Sequence, residues 1–115
     1  MRFVGPGDPI TLAEIKEMAA AMFGDMVKAV VDVERRVMAV DAELHADEEA
    51  VLLERGSRQV DLWGINLYPD MPEEDFIEFD SMINLRPARG NRSRGVGDQA
   101  LRERIGSIVD ELVKR

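Results

Sequence analysis

Four arginines, Arg86, Arg89, Arg92 and Arg94, fall within nine residues of one another, interleaved with Asn91, Ser93 and Gly90 and followed by Gly95 and Gly97. A guanidinium presents a planar fork of donors that matches a carboxylate or a phosphate. Glycine lets an anion come close to the backbone. The run also precedes a predicted helix, whose first N–H groups and partial positive charge attract anions. Arg86, Arg89, Asn91, Arg92, Ser93 and Arg94 are therefore a candidate site for a small anion or an acidic protein partner. Asp98 opposes this, because its carboxylate is placed to cap the same helix end. The run lacks the Lys-Ser/Thr ending of a P-loop, so ATP binding is not predicted. The competing reading is internal: these arginines pair with the chain's own Asp75, Glu78 and Asp80, or with a second subunit.

His45 is the one histidine, and it stands among Asp41, Glu43, Asp47, Glu48 and Glu49. A histidine beside carboxylates can act as a general base. On an extended strand, Asp41, Glu43, His45 and Asp47 would share one side and offer a metal mixed ligands. At a helix start, His45 would simply help to cap it. With one His and no Cys, no metal site and no cofactor are predicted. Ser57, Ser81, Ser93 and Ser107 lie in no elbow motif, and the loop from Asp70 to Asp75 lacks calcium-loop spacing.

These groups are positioned by the stretch from Val60 to Leu85, VDLWGINLYPDMPEEDFIEFDSMINL. Trp63, Ile65 and Leu67 alternate with Leu62, Gly64, Asn66 and Tyr68, and Ile77, Phe79 and Ile83 alternate with Glu78, Asp80 and Asn84. Period two with aromatic and β-branched residues signals strands. Pairing Leu67 with Ile77 puts Ile65 opposite Phe79 and Trp63 opposite Ser81, with Ser81 inward. The other face, with Gly64 opposite Asp80, is too apolar to be fully solvated and too polar to be core. It reads as a face covered by a helix or a second copy, or as a ligand floor with Asn66, Tyr68 and Asp80 as its polar groups.

A second hairpin reads from Met26 to Ala42, with Val27, Ala29, Val31 and Val33 sharing a face with Met38, Val40 and Ala42. Turning at Glu34–Arg35 sets Lys28 against Asp41 as a charge pair, although the turn lacks the Asn-Gly chemistry that tight hairpins prefer. Residues 1–10 read as an extended lead-in. Thr11 and Glu14 form a capping box for a first helix with a stripe of Leu12, Ile15, Met18, Ala19 and Met22, stopped at Gly24. From Asp47 to Arg55 a short helix is favoured, and a strand is the alternative. After the arginine loop, Asp98 caps a last helix whose buried stripe is Leu101, Ile105, Ile108, Val109 and Leu112.

At 115 residues the chain is one domain, 1–115, with no need of a staple. The net charge of −8 argues against nucleic acid as a partner. The charge is uneven: Asp61 to Asp80 holds seven acids and no base, while Ser81 to Gly97 holds the four arginines and no acid. No segment reads as membrane-spanning, and MRFVGPGDPI has no apolar run of signal-peptide length. The expected location is the cytoplasm.

The words LHADEEAVLLERGS, DLWGINLYPD and IEFDSMINLRPARGNRSRGV resemble a family of small bacterial proteins of unknown function, near this length. The resemblance covers nearly the whole chain and implies a free-standing soluble domain. It supplies no reaction and no site residue.

The sequence thus predicts an α+β domain. Two β-hairpins, 27–42 and 60–85, form an antiparallel sheet, the N- and C-terminal helices cover one face, and a short helix lies between the hairpins. Its first functional expectation is a homodimeric binding module that holds an anion or an acidic partner at the arginine loop. The alternative is a small hydrolase or lyase with His45 as base and Asp80 as acid or orienting group. Convergence of His45, Asp80 and one of the arginines in a single cleft favours the second.

Overall fold

The computed structural model describes residues 1–115. In chain order the elements are β1 (Arg2–Val4), β2 (Ile10–Thr11), α1 (Leu12–Ala21), β3 (Val27–Asp32), β4 (Val37–Val40), α2 (His45–Glu54), β5 (Leu62–Leu67), β6 (Ile77–Glu78), α3 (Gln99–Leu112) and β7 (Val113–Lys114). Five strands form one antiparallel sheet in the order β1-β4-β3-β5-β6. The fold is α+β. The short β2 and β7 pair in parallel and tie the start of α1 to the end of α3.

The β3–β4 register is the expected one, with Ala29 opposite Val40 and Val31 opposite Met38. Its turn is made without Asn-Gly. Oδ1 of the fully buried Asp32 accepts the N–H groups of Glu34 and Arg35, both at 2.9 Å, and Oδ2 accepts the Ser57 hydroxyl at 2.6 Å. The expected Lys28–Asp41 charge pair does not form. Asp41 leaves the strand with φ 71°, and the Lys28 ammonium lies 5.4 Å from the Phe23 ring centre. The lead-in also departs from expectation: β1 adds an edge strand, with Phe3 opposite Ala39.

The second hairpin keeps its predicted register, Leu67 opposite Ile77 and Asn66 opposite Glu78, and then stops. The pairs Ile65–Phe79 and Trp63–Ser81 do not form. Side chains replace the missing strand. Asn84 Oδ1 accepts the Gly64 N–H at 2.8 Å and Nδ2 donates to the Gly64 carbonyl at 2.9 Å. Two residues along β5, the Arg86 guanidinium donates to the Leu62 carbonyl and stacks 4.4 Å from the Trp63 ring centre. An amide and a guanidinium thus satisfy backbone groups that would otherwise be buried and unpaired.

Gly64 also faces Ser81 at close range. A Cβ at position 64 would stand 2.5 Å from Ser81 Cβ and 2.6 Å from its Oγ. Gly64→Ala should therefore cost about 2 kcal/mol by overpacking. Ser81→Gly in the same chain should restore most of that loss, as urea denaturation of the single and double variants would show.

The main core lies between the sheet and the two terminal helices. Ile15 and Ala19 of α1 and Ile105, Ile108, Val109 and Leu112 of α3 pack on Val27, Ala29, Val31, Met38, Val40, Trp63, Ile65 and Leu67. The capping box of Thr11 and Glu14 and the Asp98 cap are both present. The opposite face is covered by α2, whose Leu52 packs with Val30, Val37, Ala39 and Leu62. Of the mixed face of β5, Leu62 lies under α2 and Gly64 is met by Asn84 and Ser81. The α2 segment is a helix, not a strand, and it begins at His45 rather than after an Asp47 cap. Asp41, Glu43, His45 and Asp47 consequently do not line one side of a strand. No helix is long and apolar enough to cross a membrane.

Candidate functional site

The first turn of α2 lies over the end of the outer sheet face where Lys28 of β3 stands opposite Asn66 of β5. Lys28, Leu44, His45, Ala46, Ser81 and Arg94 line a cavity of about 170 Å³ there, together with Met82 and Ile83. That is below the roughly 300 Å³ at which drug-sized ligands are held, so it suits a phosphate group or a small carboxylic acid.

His45 is only 7% exposed, and its Nε2 lies 2.8 Å from the Ile65 carbonyl. A carbonyl only accepts, so Nε2 carries the proton and Nδ1 of the neutral ring is left without one. Nδ1 has no hydrogen-bond partner in the chain. Burial lowers the His45 pKa below the ordinary imidazole value; the bond to Ile65 and the charge of Asp80 oppose this, while Lys28 and Arg94 reinforce it. The ring is neutral at pH 7.

The helix end above it is open. Leu44 is the N-cap and supplies no side-chain hydrogen bond. The Asp47 N–H bonds back to the Leu44 carbonyl at 3.1 Å, while the His45 and Ala46 amides have no partner. Glu48 could have turned back to this end, but it is fully buried, and its Oε2 accepts the Ala42 N–H at 3.1 Å. Burial raises its pKa to about 9, so it is uncharged at neutral pH. The first turn therefore keeps two free donors, with the exposed Asp47 as its other acid.

Arg94 reaches this cavity from the arginine loop. Its carbonyl is held by the Ser81 N–H and the Asn84 side chain, both at 2.9 Å, and its Nε meets Asp80 Oδ1 at 2.7 Å. That ion pair is about half exposed, so solvent screens it and it orients Arg94 more than it binds it. His45 and Arg94 thus line one cavity, while Asp80 is not part of its lining and is linked to it through the bond to Arg94.

The other candidates of the loop lie elsewhere. Arg86 is committed to the carbonyls of Ile83, Val60 and Leu62. Asn91 is the hub of the loop: Nδ2 donates to Asn84 O at 2.6 Å and Gly95 O at 2.8 Å, and Oδ1 accepts the Gly97 N–H at 3.0 Å. Ser93 Oγ accepts the Gly95 N–H. Arg89 and Arg92 are exposed, and Arg89 borders shallow cavities beside Val60. The end of α3 offers no anion site, because Asp98 already accepts the Ala100 and Leu101 amides. Asn66 and Tyr68 both donate to Glu78 Oε1, at 2.9 and 3.0 Å, and Asn66 Oδ1 is buried without a partner. No group of three or more His, Asp or Glu is placed to hold a metal ion.

Sequence reasoning missed Lys28, because pairing it with Asp41 assigned its charge elsewhere. The signal was its place on the outer face of β3, in the row of Asn66 and Glu78. A family model described as a protein of unknown function (DUF5674) matches residues 7–112. No curated protein and no solved structure matches the chain.

Proposed function

The chain belongs to the DUF5674 family, and we propose that it is a binding module for a small anion of the phosphate or carboxylate class. The anion sits in the cavity at the start of α2, between Lys28 and Arg94. The observation that carries this is the convergence of Lys28 and Arg94 on an uncapped helix end whose His45 and Ala46 amides have no hydrogen-bond partner. The amides of His45 and Ala46 bind the anion through the backbone, Lys28 supplies a point charge, and Arg94 supplies a fork. Ser81 adds a hydroxyl to the lining.

A thermal-shift titration with inorganic phosphate, sulfate, acetate and malonate tests it. An anion at about a hundred times its Kd should stabilise the fold by about 2.7 kcal/mol. The shift should vanish in Lys28→Ala, Arg94→Ala and persist in Arg89→Ala, Arg92→Ala. The reverse pattern moves the site to the exposed loop, and no shift with any of the four anions overturns it.

A second reading, acid–base catalysis on the same bound anion, is favoured by the neutral His45, whose Nδ1 is free in a cavity shared with Ser81. Turnover of an anionic ester that His45→Gln abolishes, with anion binding retained, would select it.

A further inference from the structure

We propose that the open sheet edge at β6 takes an extended cationic peptide segment of a partner protein. β6 is the outermost strand on its side of the sheet. The Tyr68 N–H donates to the Phe76 carbonyl at 2.8 Å. In an antiparallel ladder this turns Phe76 and Glu78 toward β5, so Ile77 points its N–H and carbonyl outward, where nothing pairs with them. A free edge of this kind is a template for an added strand.

The surface beside that edge fits such a strand. A groove of about 710 Å³ runs along it, walled by Tyr68, Met71, Glu74, Asp75, Ile77 and Phe79. A neighbouring hollow of about 280 Å³ shares Glu74, Ile77 and Phe79, and extends the groove to Glu73 and to Glu103 of α3. Glu73, Glu74 and Asp75 form no ion pair. The cation of the groove, Arg102, lies 4.7 Å from the Phe79 ring centre. Carboxylates and apolar residues line the same groove, so every second side chain of an added strand would enter it and meet both. That lining calls for Lys or Arg at every second position, with the methylene stems against Met71, Ile77 and Phe79 and the charged ends at the carboxylates. The chain's own basic stretch does not meet it. Asn91 folds that stretch into a turn, Arg86 is engaged inside the fold, and Arg94 is paired with Asp80 at the surface.

The test is fluorescence anisotropy of a short labelled peptide alternating Lys and Val. Three competitors are used: spermine, a block Lys-then-Val peptide of equal charge, and the alternating peptide N-methylated at every second residue. Micromolar binding is expected, weakened about tenfold by Glu74→Gln, Asp75→Asn and reduced by added salt. The N-methylated peptide should compete poorly, since it cannot complete the ladder. Spermine or the block peptide competing as well as the alternating peptide would reduce the effect to charge and overturn the proposal. So would unchanged affinity in the double variant, or no binding at millimolar protein. Light scattering on the protein alone gives the last arm: self-association abolished by the double variant would make a second copy the occupant and overturn a separate partner.

Discussion

Replacing Glu48 by Gln is expected to stabilise the protein, by an amount that grows with pH. Glu48 is fully buried, Oε1 has no partner, and Oε2 receives one backbone N–H. Burial lifts its pKa from about 4.5 to about 9. The sign follows from proton binding. The folded state holds this proton more tightly than the unfolded state, so below the unfolded value the two lose nothing relative to each other. Above it, the unfolded chain gains by ionising while the folded chain does not. Stability therefore falls by about 1.4 kcal/mol per pH unit until the folded pKa is passed. At pH 7 the accumulated loss is about 3 kcal/mol. Gln keeps the volume and an acceptor for the Ala42 N–H, and it does not titrate. Urea midpoints of the two proteins should nearly coincide at pH 5 and separate steadily by pH 8, with the Glu48→Gln variant the more stable. Parallel pH profiles would show that Glu48 is ionised in the fold and would return its negative charge to the α2 end.

The start of α2 also marks where sequence reading runs out. The β3–β4 register was legible because Val27, Ala29, Val31, Met38 and Val40 all face one core, and a one-residue slip would turn them outward. The capping box at Thr11 and the stripe of α3 were legible for the same reason: each is a local pattern with a local cause. At α2 the local pattern misleads. Asp47 carries the usual cap signal, whereas Leu44, the residue that holds the position, carries none. β1 was missed because its three residues acquire meaning only against β4, a pairing that spans the first hairpin and α1. The candidate site combines both difficulties. It needs Lys28, the first turn of α2, Ser81 and Arg94 in one place, and no periodicity relates them. His45 and the arginine run stand out in the sequence by residue type alone. Which arginine arrives is decided by Asn84, which reads there only as an alternating polar residue of a strand.

Asn84→Leu is expected to be the most damaging single change in this region. Asn84 is fully buried and its side chain makes three bonds to backbone: to the Gly64 N–H at 2.8 Å, the Gly64 carbonyl at 2.9 Å and the Arg94 carbonyl at 2.9 Å. Leu has nearly the same shape, so little volume changes, and the loss isolates the polar term. The Gly64 N–H and carbonyl would be left without partners, at about 1–3 kcal/mol each, while the Arg94 carbonyl would keep the Ser81 N–H. A total near 4 kcal/mol is a large share of the roughly 5–15 kcal/mol that holds a domain folded. Urea denaturation should show that loss. Asn84→Asp should also destabilise, because a carboxylate would face two carbonyls, and its loss should shrink as pH falls and the acid protonates. An Asn84→Leu protein as stable as the parent would mean that water or a shifted strand satisfies Gly64, and the side-chain ladder would be incidental. The same bond links stability to function. Asn84 and Ser81 hold the Arg94 backbone, so freeing one anchor should weaken anion binding under conditions where the variant is still fully folded. Asn84 is then a positioning residue: it touches no ligand, yet it sets whether Arg94 stands beside Lys28 or drifts with the rest of the arginine loop.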